Sequence, residues 1–416
     1  MKTTGQIHPF AAARKPVPRG LKTTGPVVFS YGFRPFFLGA GLWAVLAMLL
    51  WILSLTTGLP VGGTYGAVHW HAHEMLFGFG PAVLAGFLLT AVPNWTGRLP
   101  VSGKPLMGLA GLWLLGRLAF LQPDIVHVDV AIVHVDVAIA IESLFLPVLL
   151  LICVREIVAG RKWKDLKVLF GVALLASANL VFHHAVLTDG DPAMASRAAA
   201  GAYLLLICII GGRIIPSFTR NWLNRAGETR FPTPMNGYDV ACLALAALAL
   251  ASWIALPEHP LTVVVAGAAA LFHAVRLWRW RGWAVRSEPL LAILHVAYAF
   301  VAFGFLAIAC AAAGHLNPYS ALHVVTVGAI GLMMLAVMGR ATRGHTGRDL
   351  AASRTTCLAY ACLIGAAVLR PLAEIAPEFY QEILSVSALL WMASFGLFLM
   401  EYAPMLTRVR RTPLAG

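Results

Sequence analysis

Three histidines and a glutamate open one apolar segment of this 416-residue chain, in the run His69-Trp-His-Ala-His-Glu-Met75. Further histidines, His183, His184, His295 and His323, lie in other apolar segments. A polar ring inside hydrocarbon is costly and marks a functional position by default. Imidazoles converging from several helices are the donor set that a haem iron or a copper ion takes. Glu74, beside the triplet, could hold a ligand histidine by its second nitrogen, and Glu142 is a second acid within an apolar segment.

The elements that must position these residues are transmembrane helices. Hydrophobic residues make up 59% of the chain against 12% charged, and the mean hydropathy is +0.79. A soluble domain carries about a quarter charged residues, and about 20 apolar residues cross a bilayer as a helix. Twelve such segments are expected, near 36–57, 68–92, 104–121, 129–153, 167–187, 197–215, 239–256, 260–280, 289–312, 319–339, 355–372 and 380–404. The fold class is therefore an all-α polytopic bundle: one domain over 31–408, a mobile basic tail at 1–30 and a short tail at 409–416.

The formal charge of +13 raises the question of a nucleic-acid partner, and its distribution answers it. Basic residues recur in every second loop: Arg98 and Lys104; Arg161, Lys162 and Lys164; Arg220, Arg225 and Arg230; Arg279, Arg281 and Arg286; Arg343 and Arg348; Arg408, Arg410 and Arg411. The loops between, such as Gly58–Gly66, Pro257–Pro260 and Gly314–Tyr319, have almost none. This is the positive-inside pattern with both termini cytoplasmic, and the partner it implies is the lipid bilayer. The six cysteines include no Cys-x-x-Cys pair, so neither a disulfide framework nor a thiolate metal site is expected. Ile125–Ala138 is a perfect tandem heptad, Ile-Val-His-Val-Asp-Val-Ala twice, which makes His127 and His134 copies of one another. At least one of them is discounted as a ligand.

Alternating topology turns position into depth, at about 1.5 Å per helical residue. His69, His71 and His73 fall in the first turns of helix 2, His183 and His184 at the end of helix 5, and His323 one turn into helix 10. All six share the outer third of the membrane. His69 and His73 lie on one helical face and His71 roughly opposite, so one of the triplet is expected to be a bystander. His295 lies towards the cytoplasmic half, and His345 in the loop Gly344-His-Thr-Gly-Arg348, whose text suggests an ion-paired turn. Arg117, embedded in Leu114-Leu-Gly-Arg-Leu118, is the best placed cation to neutralise a haem propionate.

The text His71-Ala-His-Glu-Met-Leu-Phe-Gly-Phe79, with Ala85-Gly-Phe-Leu-Leu-Thr-Ala-Val-Pro-Asn-Trp-Thr-Gly97, resembles the NnrS family. So do Gly211-Gly-Arg-Ile-Ile-Pro-Ser-Phe218, Leu294-His295 with Tyr298, His323-Val-Val-Thr-Val-Gly-Ala-Ile-Gly331 and Met338-Gly-Arg-Ala-Thr-Arg-Gly-His-Thr-Gly-Arg348. The resemblance implies a bacterial inner-membrane protein that contains haem and copper and is linked to nitric oxide and denitrification. A weaker similarity, to haem-copper oxidases and nitric oxide reductases, rests on the twelve spans, an early His followed by Met and Phe, a His-His pair and a late histidine. Here the pair lies on helix 5 rather than the seventh, and helix 10 has no His-x-His.

Three roles follow as expectations. In the first, His73 and His323 clamp a haem, with His69, Glu74 and Arg117 around it, while His183, His184 and one of His69 or His71 hold copper; such a centre binds or reduces nitric oxide. His295 and His345 stand as further metal candidates. The alternative is a copper or haem transporter or handling protein, with the histidine layer as a transit site. A sensory role, lacking a signalling domain, is the weakest of the three.

Overall fold

The computed structural model describes residues 25–121 and 135–410, and twelve helices within them are long and apolar enough to cross a membrane. They are α1 (Phe33–Thr57), α2 (Gly66–Thr96), α3 (Lys104–Leu121), α4 (Val135–Ala159), α5 (Trp163–Leu187), α6 (Ala193–Arg225), α7 (Gly237–Ala255), α8 (Pro260–Trp278), α9 (Pro289–Ala312), α10 (Pro318–His345), α11 (Arg354–Leu372) and α12 (Pro377–Thr407). No strand occurs among the described residues. His127, His134 and the first heptad lie outside them.

Two helices outrun their sequence expectation. α6 continues through Pro216 to Arg225, so the connection expected between residues 215 and 239 shrinks to the stretch after α6. Its 33 residues are about 50 Å of helix, well beyond the hydrocarbon thickness. α10 extends through His345, because the first left-handed residue that can stop it is Gly347. His345 is thus the last helical residue rather than a loop residue, and its ring packs beside Tyr31 and Phe33.

Burial ranks the helices by role. In α2, 83% of the apolar window is inside the protein, against 33% in α3, α4 and α8, so α2 forms the centre and those three the rim. Small residues let the centre pack closely, as expected where helices associate in lipid. A side chain on Gly86 would strike the Phe37 ring of α1, and one on Gly80 would strike Tyr203 of α6.

Arg34, at the start of α1, donates to the carbonyls of Leu406 and Arg408 at 2.8 Å and of Met405 at 3.3 Å, satisfying the last turn of α12. This joins the start of α1 to the end of α12 at one end of the bundle. The same end carries the ion pair of Arg343 with Glu401, which ties α10 to α12. The α1–α2 connection, and with it His69–Glu74, lies at the opposite end.

A candidate metal centre in the histidine layer

The helical ladder of α2 widens into a π-helix over Glu74–Phe79, directly after His73. Pro81 is a local cause, since it has no N–H to return to the turn before it and its ring crowds that turn's carbonyl. A π segment leaves carbonyls without their usual partners, and here side chains take them. Tyr203 Oη donates to the Leu76 carbonyl at 2.9 Å, and Trp113 Nε1 to the Gly78 carbonyl at 2.9 Å. π segments gather at functional sites, and this one sets the directions of His73 and Glu74.

Both residues are completely buried and face α3, α4 and α5. Arg117 of α3 donates to Glu74 Oε2 at 2.5 Å and to Glu142 Oε1 at 2.8 Å. Trp43 of α1 gives a further N–H to Glu74 Oε2 at 2.8 Å. The other oxygen of Glu74 lies 3.1 Å from His73 Nδ1. The other oxygen of Glu142 accepts from Asn179 Nδ2 at 2.6 Å and lies 3.1 Å from His183 Nε2 and 3.6 Å from His73 Nε2. Asn179 Oδ1 stands 3.2 Å from His73 Nε2. Tyr65, ahead of α2, reaches His183 Nδ1 at 2.6 Å. Phe120 stacks on both imidazoles, 4.9 Å from His73 and 5.6 Å from His183.

His73, Glu142 and His183 form a group whose ligand atoms lie within 4.8 Å of one another. Two imidazoles and a carboxylate suit a borderline cation such as copper, zinc or iron. Charge favours one as well. Among the described residues, two carboxylates against one guanidinium leave one negative charge on buried side chains, where an uncompensated charge is very costly. A cation between His73 and His183 cancels it. So would a proton on His73, whose two ring nitrogens both face oxygen atoms. The fit to a metal is thus one of donor type, convergence and charge.

The histidine layer divides into three parts. His73 and His183 enter the buried group, and Glu74, Glu142 and Arg117 surround it. His184 points the other way and is exposed, so the sequence pair His183-His184 does not act as a unit. His69 is half-buried and stays outside the group. His71 turns to the opposite face of α2, where its ring stacks on Trp51 of α1 at 4.7 Å. His323 donates from Nδ1 to the Tyr319 carbonyl at 2.7 Å. Arg117 donates from both terminal nitrogens to carboxylates, while its Nε is buried without a partner among the described residues.

The remaining histidines serve other regions. His295 is buried on α9 with Nε2 2.9 Å from Thr219 Oγ1 of α6, apart from the metal group. His273 pairs with the hydroxyl of Tyr298 at 2.9 Å, which in turn accepts from Arg276 at 2.8 Å. His345 packs against aromatic rings at the far end of the bundle. Sequence reasoning did not single out Tyr65, Asn179 or Trp43. Asn179 had a usable signal: it lies four residues before His183 and therefore on the same helical face.

Residues 27–410 match the protein family described as NnrS protein, and no individually curated protein matches the chain. The matched stretch begins before α1 and ends after α12, so it takes in all twelve helices and the whole buried group. The chain belongs to the NnrS family.

Proposed function

We propose that this protein binds copper and haem in the bacterial inner membrane and acts on nitric oxide, in its metabolism or in resistance to nitrosative stress. The observation that carries the reading is the buried His73–Glu142–His183 group, whose donors and net charge both call for a cation. The donor set accepts several metals, and the family resemblance selects copper and adds haem. When bound, haem iron and copper supply coordination of nitric oxide and one-electron transfer.

The chain's own residues would do the following. His73 and His183 present ring nitrogens, and Glu142 presents one carboxylate oxygen. Glu74 fixes the ring of His73 through its second nitrogen, the usual outer partner of a ligand histidine. Arg117 holds both carboxylates in place and offsets one of their charges. Phe120, Phe77 and Phe182 pack against the His73 ring and keep water out. Both termini facing the cytoplasm would put the group in the outer third of the membrane, as the loop charges suggest.

The test is an anaerobic nitric oxide titration of the detergent-purified protein, followed in the Soret region and by electron paramagnetic resonance. The reading expects a Soret band in the resting protein, copper by metal analysis and a saturable spectral change on adding nitric oxide. A protein with neither a Soret band nor copper would refute it.

A further inference from the structure

We infer that Asn179 of α5 is the fourth ligand of the metal held by His73, Glu142 and His183, bound through its side-chain carbonyl oxygen Oδ1. The inference rests on the proposed function, which places a cation among those three residues. It starts on α5, where Asn179 and His183 are four residues apart and so leave the helix on one face. Asn179 is buried, only 1% exposed, in the middle of a transmembrane segment. An amide taken out of water is costly unless each end finds a partner. Both ends of this one find theirs inside the metal group.

The amide nitrogen fixes which way the group faces. Nδ2 donates to Glu142 Oε2 at 2.6 Å, while the other oxygen of that carboxylate accepts from Arg117 at 2.8 Å. An amide nitrogen only donates, and a carboxylate beside a guanidinium only accepts, so turning the amide over would set oxygen against oxygen. Oδ1 is therefore the end that stands 3.2 Å from His73 Nε2. That nitrogen is the one that faces Glu142, because Nδ1 of the same ring faces Glu74.

The spacings are those of one coordination shell. A four-coordinate ion with bonds of about 2.0–2.1 Å places neighbouring ligand atoms about 3.3 Å apart. Asn179 Oδ1 lies 3.2 Å from His73 Nε2, and Glu142 Oε2 lies 3.1 Å from His183 Nε2 and 3.6 Å from His73 Nε2. Glu74 and Tyr65 belong to an outer layer, since they meet the two imidazoles at Nδ1. Hydrogen bonding leads to the same oxygen. A ring nitrogen on a metal has no hydrogen to give, so with His73 Nε2 bound, Oδ1 would be a buried acceptor facing no donor. Binding the same ion satisfies it. An uncharged amide oxygen is also the weakest of the four donors for copper, and so the one that an incoming small molecule displaces most readily.

The test measures copper affinity and the Cu(II) electron paramagnetic resonance spectrum of the detergent-purified chain. It compares wild type, Asn179→Ala, Glu142→Gln and the exchange variant Glu142→Gln with Asn179→Asp. Asn179→Ala should bind copper about 10-fold more weakly, the scale on which metal sites respond to a lost partner. Added imidazole should restore its affinity, and should change its spectrum at about 10-fold lower concentration than in wild type, because it fills the vacated position. The exchange variant moves the carboxylate from 142 to 179, keeps the total charge and reverses the hydrogen bond. It should hold the copper that Glu142→Gln alone loses, and it decides the matter should Asn179→Ala not fold. With copper present in wild type, three results would overturn the inference alone. They are wild-type affinity and spectrum in Asn179→Ala, copper lost from it and not regained with imidazole, and an exchange variant that loses copper as Glu142→Gln does. The second is the mark of a residue that only positions Glu142. A wild type that binds neither copper nor another metal would overturn this inference and the proposed metal centre together.

Discussion

Arg117→Met is expected to destabilise the folded protein by about 3–5 kcal/mol, the cost of removing one partner from a buried ion-pair group. Among the described residues Arg117 is the one guanidinium paired with Glu74 and Glu142, and its loss leaves two buried carboxylates without it. Set against a total stability of about 5–15 kcal/mol, that is a large fraction of the margin and, at the low end of the range, all of it. The check is thermal unfolding in detergent together with the yield of monodisperse protein. A triple variant, Arg117→Met with Glu74→Gln and Glu142→Gln, should recover much of the stability, because apolar or neutral replacements of a whole buried ion group are often tolerated. It should not recover metal binding. An Arg117→Met protein that melts with wild type would mean that the carboxylates are already neutral, and the charge argument for a bound cation would fail.

Gly78→Ala is the second large effect. A Cβ at this position would stand 2.4 Å from an Arg117 terminal nitrogen, 2.6 Å from Glu74 Oε2 and 3.0 Å from Trp43 Nε1. Those atoms are the ends of side chains, so the fold can yield, but only by moving the contacts that orient His73. The expected cost is about 1–3 kcal/mol, typical of overpacking a filled interior, with a fall in bound metal. Gly108→Ala, on α3 with nothing within 4 Å of the added carbon, is the matched control and should be neutral or slightly stabilising. Equal melting temperatures and metal contents in the two variants would contradict the account of Gly78.

Much of this architecture is legible in the sequence, because apolar length alone defines a spanning helix. All twelve spans are readable in this way, and alternation of the loop charges adds relative depth. Depth alone does not give facing. His71 and His73 share a depth yet serve opposite sides of α2, and the π segment that begins at Glu74 shifts the register beyond any fixed 3.6-residue count. His183 and His184 illustrate the same limit: they are neighbours in sequence, but one is buried and the other exposed.

Arg117 is only partly legible, for another reason. Its position near the histidine layer is readable, but its partners come from α2 and α4, and only packing reveals that two acids share it. The end of α6 is hidden by Pro216, which breaks many helices but here lies within one that continues to Arg225. Tyr65 and Trp43 carry no pattern that would have marked them. They belong to the site because the start of α2 and the middle of α1 pack against it.

The proposed function requires one metal ion between His73, Glu142 and His183. The most direct measurement is copper per polypeptide in purified wild type, His183→Ala and His184→Ala. The expected result is about one copper in wild type, loss of about 10-fold or more in His183→Ala, as when a metal site loses a partner, and no loss in His184→Ala. Copper retained by His183→Ala, or lost from His184→Ala instead, would contradict it.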